Sequence, residues 1–525
     1  MDLPLLDLIV IFIYLVGIII FGSWFVRYNK TGEDFMIAGS SIPGWAVGLS
    51  FFGTYLSSNT FIGVVGRAFG TNWNYFTFSL VIPLAAWIGV KYFIPFYRKS
   101  GEISAYHHIE KRFGSWARIY SVSCYLLLQL ARIATITYGM ALALHGLAGW
   151  EMSYIIIISG ISITLYTMLG GMKAVIWTDV VQSFVLVSGT IIIIIYIFYE
   201  AQISPPELLA VANENSKFSL GSFKLSFSKS TFWVVFLYGL FMNLKAFGFD
   251  QNYVQRYHAA KSNKEAKNSL YFGSLLYVPI SLLFFFIGSI LFSLYQTSPG
   301  LEKDLKAKTA MAIVNRETSD LSPEDYLMRV QKKESTLKIT DIADHALPHF
   351  MSKKLPGGVA GLIIAAIMAA AMSTISTCLN SSATVLYSDI YKKIRGNISE
   401  KELMYFLRIA TFIWGILGSI AALLMIGSES ILAVWWELSS IVAGAMLGLF
   451  LLGFVSKKVD GQGAAISVFF GIIVIAWIGF SSKVSFLPDF LKSPFHTYMS
   501  VVIATISMFT VGILISHVKT RRKMY

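Results

Sequence analysis

Two cysteines, Cys124 and Cys378, are all the thiol in 525 residues, and each sits inside an apolar run. That scarcity excludes a disulfide framework and a thiolate metal site. Charge is scarce as well: Asp, Glu, Lys and Arg make up 14% of the chain, against roughly 25% in an average soluble domain. The few histidines fall mostly in expected loops (His107, His108, His145, His258). No nucleophile–base pair or ligand cluster of an intramembrane hydrolase can be assembled from them, so the chain reads as a non-enzyme. The first apolar run has neither a basic segment ahead of it nor a small-residue cleavage site, which predicts a retained helix and not a cleaved leader.

What fills the space is hydrocarbon: 55% of the residues are hydrophobic. The runs 5–26, 180–199 and 271–291 carry few or no charges and meet the ~20 residues needed to cross a bilayer. Hydropathy along the chain predicts about thirteen spans, centred near residues 16, 57, 86, 133, 161, 188, 241, 283, 369, 416, 442, 472 and 507. The chain is therefore expected to be an all-α integral membrane protein with the lipid bilayer as its surroundings.

The net charge of +13 is a matter of topology. Lys and Arg gather in alternate short loops, among them Arg27, Arg98, Lys99, Arg118, Arg256, Lys261, Lys392, Lys393, Lys457 and Lys519, while the loops near residues 72, 149 and 428 have none. This is the positive-inside pattern. It predicts a cytoplasmic C-terminus and an outside N-terminus in a plasma (cell inner) membrane, and it argues against nucleic acid as a partner. One longer polar loop, 296–355, is expected to form a solvated external cap or hairpin.

Inside spans a charge is costly, so Arg67, Arg132, Asp179, Lys245, Asp250 and Glu437 are functional candidates. Two spans also read as interrupted. "SFFGTYLSSNTFIGVVGRAFG" (50–70) has Gly53, Ser57, Ser58, Asn59 and Thr60 in mid-span, and "YGLFMNLKAFGFDQNYVQRY" (238–257) has Asn243, Lys245, Gly248 and Asp250 there. Unwound helices of this kind hold cations and anionic solutes at the midplane of transporters. The breaks fall in the second and seventh spans, five spans apart. Because five is odd, the two groups of five enter the membrane from opposite sides and form an inverted repeat. The expected divisions are 1–42 (first helix and cytoplasmic loop), 43–200 (first repeat), 201–231 (external loop), 232–455 (second repeat) and 456–525 (two helices and a basic tail).

The ninth span poses its own puzzle, since 373–384 carries the hydroxyls of Ser373, Thr374, Ser376, Thr377, Ser381, Ser382 and Thr384. Hydroxyls and carbonyls can replace the water shell of a sodium ion. Carbonyls of Gly53 and Leu56 in the broken second span could complete such a cage. Ser and Thr are equally the glue of close-packed membrane helices. Both readings stand at this point.

The blocks "YTMLGGMKAVIWTDVVQ" (166–182) and "STISTCLNSSATVLYSDIYKK" (373–393) resemble the sodium:solute symporter family, and the likeness runs from "EDFMIAGSSIPGWAVGLSFFGTYLSS" to "LGLFLLGFVSKK". The resemblance implies a LeuT-like fold of two inverted five-helix repeats and sodium-coupled import of a small solute by alternating access. No cofactor is implied; Na+ is the coupling ion. The family's shared sodium site falls on the carbonyls of Gly53, Leu56 and Ala370 and the hydroxyls of Ser373 and Thr374. A second site, present in some members, falls on Asp179, Ser373, Ser376 and Thr377.

Within the family the chain resembles the bacterial sialic acid transporters. That likeness puts Arg132, in "LARIATITY" (130–138), on the substrate carboxylate, to which a guanidinium binds in bidentate fashion. Further substrate contacts are expected from Tyr55, Ser57, Thr60, Tyr75 and Ser79, and from Asn243, Lys245 and Phe247 beside the second break. Sugar-carrying members have a gating tyrosine where this chain has Ala246, which favours a carboxylate-bearing solute over a neutral sugar or polyol. A sodium channel or a sensor is the remaining alternative; the basic tail is expected to be too short for a signalling domain.

Overall fold

In hydrocarbon every backbone N–H must find its carbonyl within the same segment, so long apolar runs become helices. The computed structural model describes residues 4–317, 322–396, 398–426, 444–484 and 487–522. Among them there are helices and no strands, and ten helices are long and apolar enough to cross a membrane.

The expected count of about thirteen is not reproduced as thirteen separate helices. Met152–Glu200, at 49 residues, spans two predicted crossings and turns at Gly171, whose φ of 58° and ψ of −151° lie outside helical space. A Cβ there would also meet the Phe35 Cα at 2.9 Å, so the corner needs glycine twice over. The second predicted span is divided in two, and of the one near 442 only Gly444–Val455 is described. Glu437 lies outside the described residues.

Both predicted interruptions are present. Gly44–Tyr55 ends where Leu56 (φ −91°, ψ 126°) turns extended. Ser57, also extended, restarts the helix as Ser58–Gly70 through a capping box with Thr60. The second is Phe232–Phe249, then Asp250 (φ −75°, ψ 118°), then Gln251–Ala259. Asp250 caps the restart, its Oδ1 accepting from the Asn252 N–H at 3.0 Å. The two broken helices meet at one end. The Ile42 N–H donates to the Ala259 carbonyl, and the Lys261 N–H donates to the Ile42 carbonyl, each at 3.1 Å.

The hydroxyl-bearing helix Val359–Val385 runs on to Arg395 with 89% of its most apolar window buried, against 22% for Leu5–Tyr28. It is the most buried of the ten long helices, so its polarity faces protein and not lipid. The 296–355 segment is more than a solvated excursion. It forms Pro299–Glu317, Pro323–Thr336 and Ile339–Lys354. The third of these buries Ile342, Ala346, Leu347 and Phe350 and packs on the Ser58–Gly70 half-helix, with Asp344 against Gly66 and Ala343 against Gly70.

Candidate functional site

A helix that stops short leaves its last four carbonyls without intrahelical donors. At the first break the structure shows where they go. The Leu56 carbonyl accepts from Thr374 Oγ1 at 3.1 Å, and the same hydroxyl lies 3.2 Å from the Ala370 carbonyl. The Thr54 carbonyl accepts from Arg132 Nη2 at 3.1 Å. A Cβ on Gly53 would stand 2.9 Å from Ser373 Oγ, so only glycine lets this backbone approach the hydroxyl helix so closely. Leu56, Ala370 and Thr374 thus meet through buried oxygens, with Gly53 packed against Ser373 in the next position of the hydroxyl helix.

The second break is closed differently. The Phe247 carbonyl accepts from Tyr257 Oη at 2.8 Å and the Gly248 carbonyl from Tyr97 Oη at 2.7 Å. These two freed oxygens are therefore committed to tyrosine hydroxyls.

Asp179, fully buried, has a partner that the sequence does not suggest. Arg256 Nη2 reaches Asp179 Oδ2 at 3.0 Å. Arg256 also donates to Ser50 Oγ (2.8 Å), Thr377 Oγ1 (2.7 Å) and the Asn252 carbonyl (2.7 Å). Asp179 in turn accepts from Ser373 Oγ at 2.6 Å and from Ser50. Of the expected second sodium set, Ser373 and Thr377 thus join Asp179 through this network. Ser376 instead turns back to the Ser373 carbonyl at 3.1 Å.

The charge pattern places Arg256 among the loop cations, and here the structure differs. Arg256 is 1% exposed in the second half of a broken helix whose nine residues are all buried. The cue in the sequence is the polar run "DQNYVQRYH" directly after a mid-span break. A short half-helix that buries polar groups against other polar groups carries no apolar signature.

The hydroxyls of the Val359–Val385 helix make two kinds of contact. Ser373 and Thr374 face the first break, whereas the lower hydroxyls bind Gln251–Ala259. Ser381 Oγ donates to Asn252 Oδ1 (2.6 Å), and Gln255 Nε2 donates to Asn380 Oδ1 (2.8 Å) and Thr384 Oγ1 (3.0 Å).

Of the expected substrate contacts, Tyr55, Asn243 and Phe247 come together. Tyr55 Oη donates to Asn243 Oδ1 at 2.9 Å, and its ring lies 5.8 Å from Phe247, 5.3 Å from Tyr253 and 5.1 Å from Tyr277. Ser57 and Thr60 cap each other at the break. Ser79 is engaged with Ser281 at 2.7 Å. Tyr75 belongs to another cluster, with Arg67 4.7 Å over its ring and Tyr498 6.1 Å away. Lys245 is half-buried, and among the described residues it forms no ion pair with Asp250, which caps its own helix instead.

At the end where the basic loops gather, Arg118 is buried as well. It pairs with Asp389 and Glu110, each at 2.6 Å, and Ser104 Oγ donates to Asp389 at 2.9 Å. Burial raises the Glu110 carboxyl, but Lys393 and Arg118 outweigh it and hold the group down at about 2.

A broken helix facing a hydroxyl-lined, deeply buried helix defines a cation-coupled transporter, and comparison with known proteins agrees. The sodium:solute symporter family matches over residues 35–471, and the chain belongs to that family. It is a multi-pass membrane transporter, not an enzyme. It is 31% identical over 505 residues to the sodium/sialic acid symporter NanT of Aliivibrio fischeri (strain ATCC 700601 / ES114), covering 95% of this chain and 92% of that one. It is 28% identical to the sodium/glucose cotransporter of Vibrio parahaemolyticus, covering 95% and 88%. A solved Na+-coupled sialic acid symporter, substrate-bound and outward-open, superposes with a TM-score of 0.85 at 29% identity over 98% of both chains. The fold is LeuT-like.

Proposed function

We propose that this chain couples inward sodium movement to import of a small carboxylate-bearing solute, a sialic acid or a similar sugar acid or monocarboxylate. The observation that carries the reading is the meeting of Thr374 Oγ1 with the Leu56 and Ala370 carbonyls at 3.1 and 3.2 Å, beside Gly53 and Ser373. Oxygens of neutral groups suit a monovalent cation that must also leave, since no fixed countercharge traps it.

Arg132 sits close by along the backbone, on the Thr54 carbonyl. Sodium drawn to the Leu56 carbonyl orders the same backbone that positions Arg132, so the ion and the solute carboxylate tighten each other reciprocally. Tyr55, Asn243 and Phe247 would line the solute's other face, with Ser57, Thr60, Tyr75, Ser79 and Lys245 along its route. The neutral Tyr55–Asn243 pair favours one second reading, a neutral sugar or polyol as the solute.

A second sodium on Asp179, Ser373, Ser376 and Thr377 requires Arg256 to withdraw and Ser376 to rotate away from its own helix. In our reading Arg256 is the built-in cation of that site in this conformation. The protein lies in the cell inner membrane with its N-terminus outside and its C-terminus in the cytoplasm, as the loop charges argue.

Equilibrium binding of N-acetylneuraminate to purified protein tests the coupling. Affinity should rise severalfold when sodium replaces potassium, and equal affinity in the two salts would exclude the proposed linkage.

A further inference from the structure

The Glu400–Leu424 helix carries Arg408 about two turns from its start, in a segment otherwise apolar. The Arg408 Nε is buried and has no hydrogen-bond partner. It lines an open cleft of about 810 Å³ between the chain following the first helix and the beginning of this one, together with Lys30 and Lys401.

The two carboxylates in the cleft are already engaged. Glu400 accepts from the Gly32 N–H at 2.9 Å, and Glu402 accepts from Tyr391 Oη at 2.8 Å. Among the described residues, none of the three cation side chains forms an ion pair. The cleft therefore carries a net positive charge of one, three cations against Glu400 and Glu402.

Its surroundings say what kind of anion fits. Below Arg408, Ile409, Phe412, Ile413, Ile416 and Ile420 are 36–50% exposed along one helix, a strip that faces hydrocarbon. At the level of the cleft Trp24, Tyr28 and Tyr405 are exposed, an aromatic girdle of the kind that marks the headgroup layer. Such surroundings suit a cleft at headgroup depth, on the face where the basic loops gather.

We propose that this cleft binds an anionic phospholipid, with the headgroup phosphate between Lys30, Lys401 and Arg408 and an acyl chain along the isoleucine strip. Basic pockets between membrane helices recognise acidic headgroups in this way. The phosphate supplies the Arg408 guanidinium with an anionic partner, which no carboxylate among the described residues provides.

The test uses full-length, delipidated protein in native mass spectrometry, titrated with phosphatidylglycerol or phosphatidylcholine of matched chains. Phosphatidylglycerol should be retained about fivefold more tightly, the factor that one cation near an acidic surface supplies. Arg408→Gln should remove most of that preference and Arg408→Lys should keep it. Lys30→Gln with Lys401→Gln, both at exposed positions, should weaken the preference at an unchanged melting temperature, which separates lipid binding from misfolding. Equal retention of the two lipids by the wild type, or a preference that survives in every variant, overturns the proposal. So does complete displacement of phosphatidylglycerol by millimolar inorganic phosphate, which would make the cleft a site for small soluble anions.

Discussion

Arg256 and Asp179 form an ion pair at 3.0 Å with both side chains essentially inaccessible, and the pair ties the second broken helix to the kinked Met152–Glu200 element. Removing one member of a buried pair typically costs about 3–5 kcal/mol, because the other is left uncompensated. Arg256→Gln is therefore expected to lower the melting temperature markedly in sodium-free buffer. Since the freed carboxylate then lacks its cation, added sodium should stabilise this variant more than the wild type. A variant that melts like the wild type and ignores sodium would show that Arg256 does not stand in for an ion there.

The cradle at the first break predicts a graded series. Thr374→Ala deletes the hydroxyl shared by Leu56 and Ala370 and should raise the sodium concentration for half-maximal transport about tenfold, the equivalent of ~1.4 kcal/mol of lost charge–dipole contact. Gly53→Ala places a methyl 2.9 Å from Ser373 Oγ and should impair sodium activation without touching any charge. Sodium titrations of uptake by correctly folded variants decide both; unaltered curves would move the ion elsewhere.

Arg132 is expected to select for the carboxylate. Arg132→Lys keeps the charge but loses the planar fork, and should reduce affinity for an acidic solute about tenfold. Arg132→Ala should reduce it further while sodium still stabilises the protein. Loss of sodium stabilisation in both variants would instead make Arg132 a structural prop of the Thr54 carbonyl.

The Arg118 cluster gives a pH dependence of defined sign. Glu110 is held at about 2 in the folded protein, below its ordinary value of about 4.5. A carboxyl depressed on folding contributes stability that is complete above its unfolded value and is lost as pH falls towards the folded one. The melting temperature should therefore drop between pH 5 and pH 3, within this depressed window, and less steeply for Glu110→Gln. Parallel wild-type and variant curves over that interval would show that Glu110 contributes nothing there.

Much of this is legible in the sequence because a membrane span tolerates polarity only where protein or ligand receives it. The two breaks show as Gly53 with the Ser57–Thr60 cluster, and as Gly248 with Asp250, each set lying inside an otherwise hydrophobic run. The cradle residues follow from the family resemblance; of them the structure pairs Thr374 with the Leu56 and Ala370 carbonyls, and Gly53 with Ser373. Pairing at a distance is what stays hidden. Arg256 looks like a loop cation because a half-helix packed on polar neighbours has no apolar face to announce it, and Arg118 because it stands in the first turn of Ser115–Ala148, next to a basic loop. Arg408 lies within the Glu400–Leu424 span, only two turns from its polar start, where a single charge gives little signal. The polarity of 373–384 looks like one feature and is two, with Ser373 and Thr374 facing a carbonyl cradle and Ser381 and Thr384 bonded to Gln251–Ala259.

The most direct test of sodium coupling is uptake of labelled N-acetylneuraminate into proteoliposomes, measured with an inward sodium gradient and with the gradient abolished at equal total salt. Coupling through the cradle predicts concentrative uptake that depends on the gradient and is sharply reduced in Thr374→Ala. Uptake that proceeds equally without the gradient would contradict sodium coupling. Sodium-stimulated transport of a neutral sugar in place of N-acetylneuraminate would contradict the assignment of Arg132 to a substrate carboxylate.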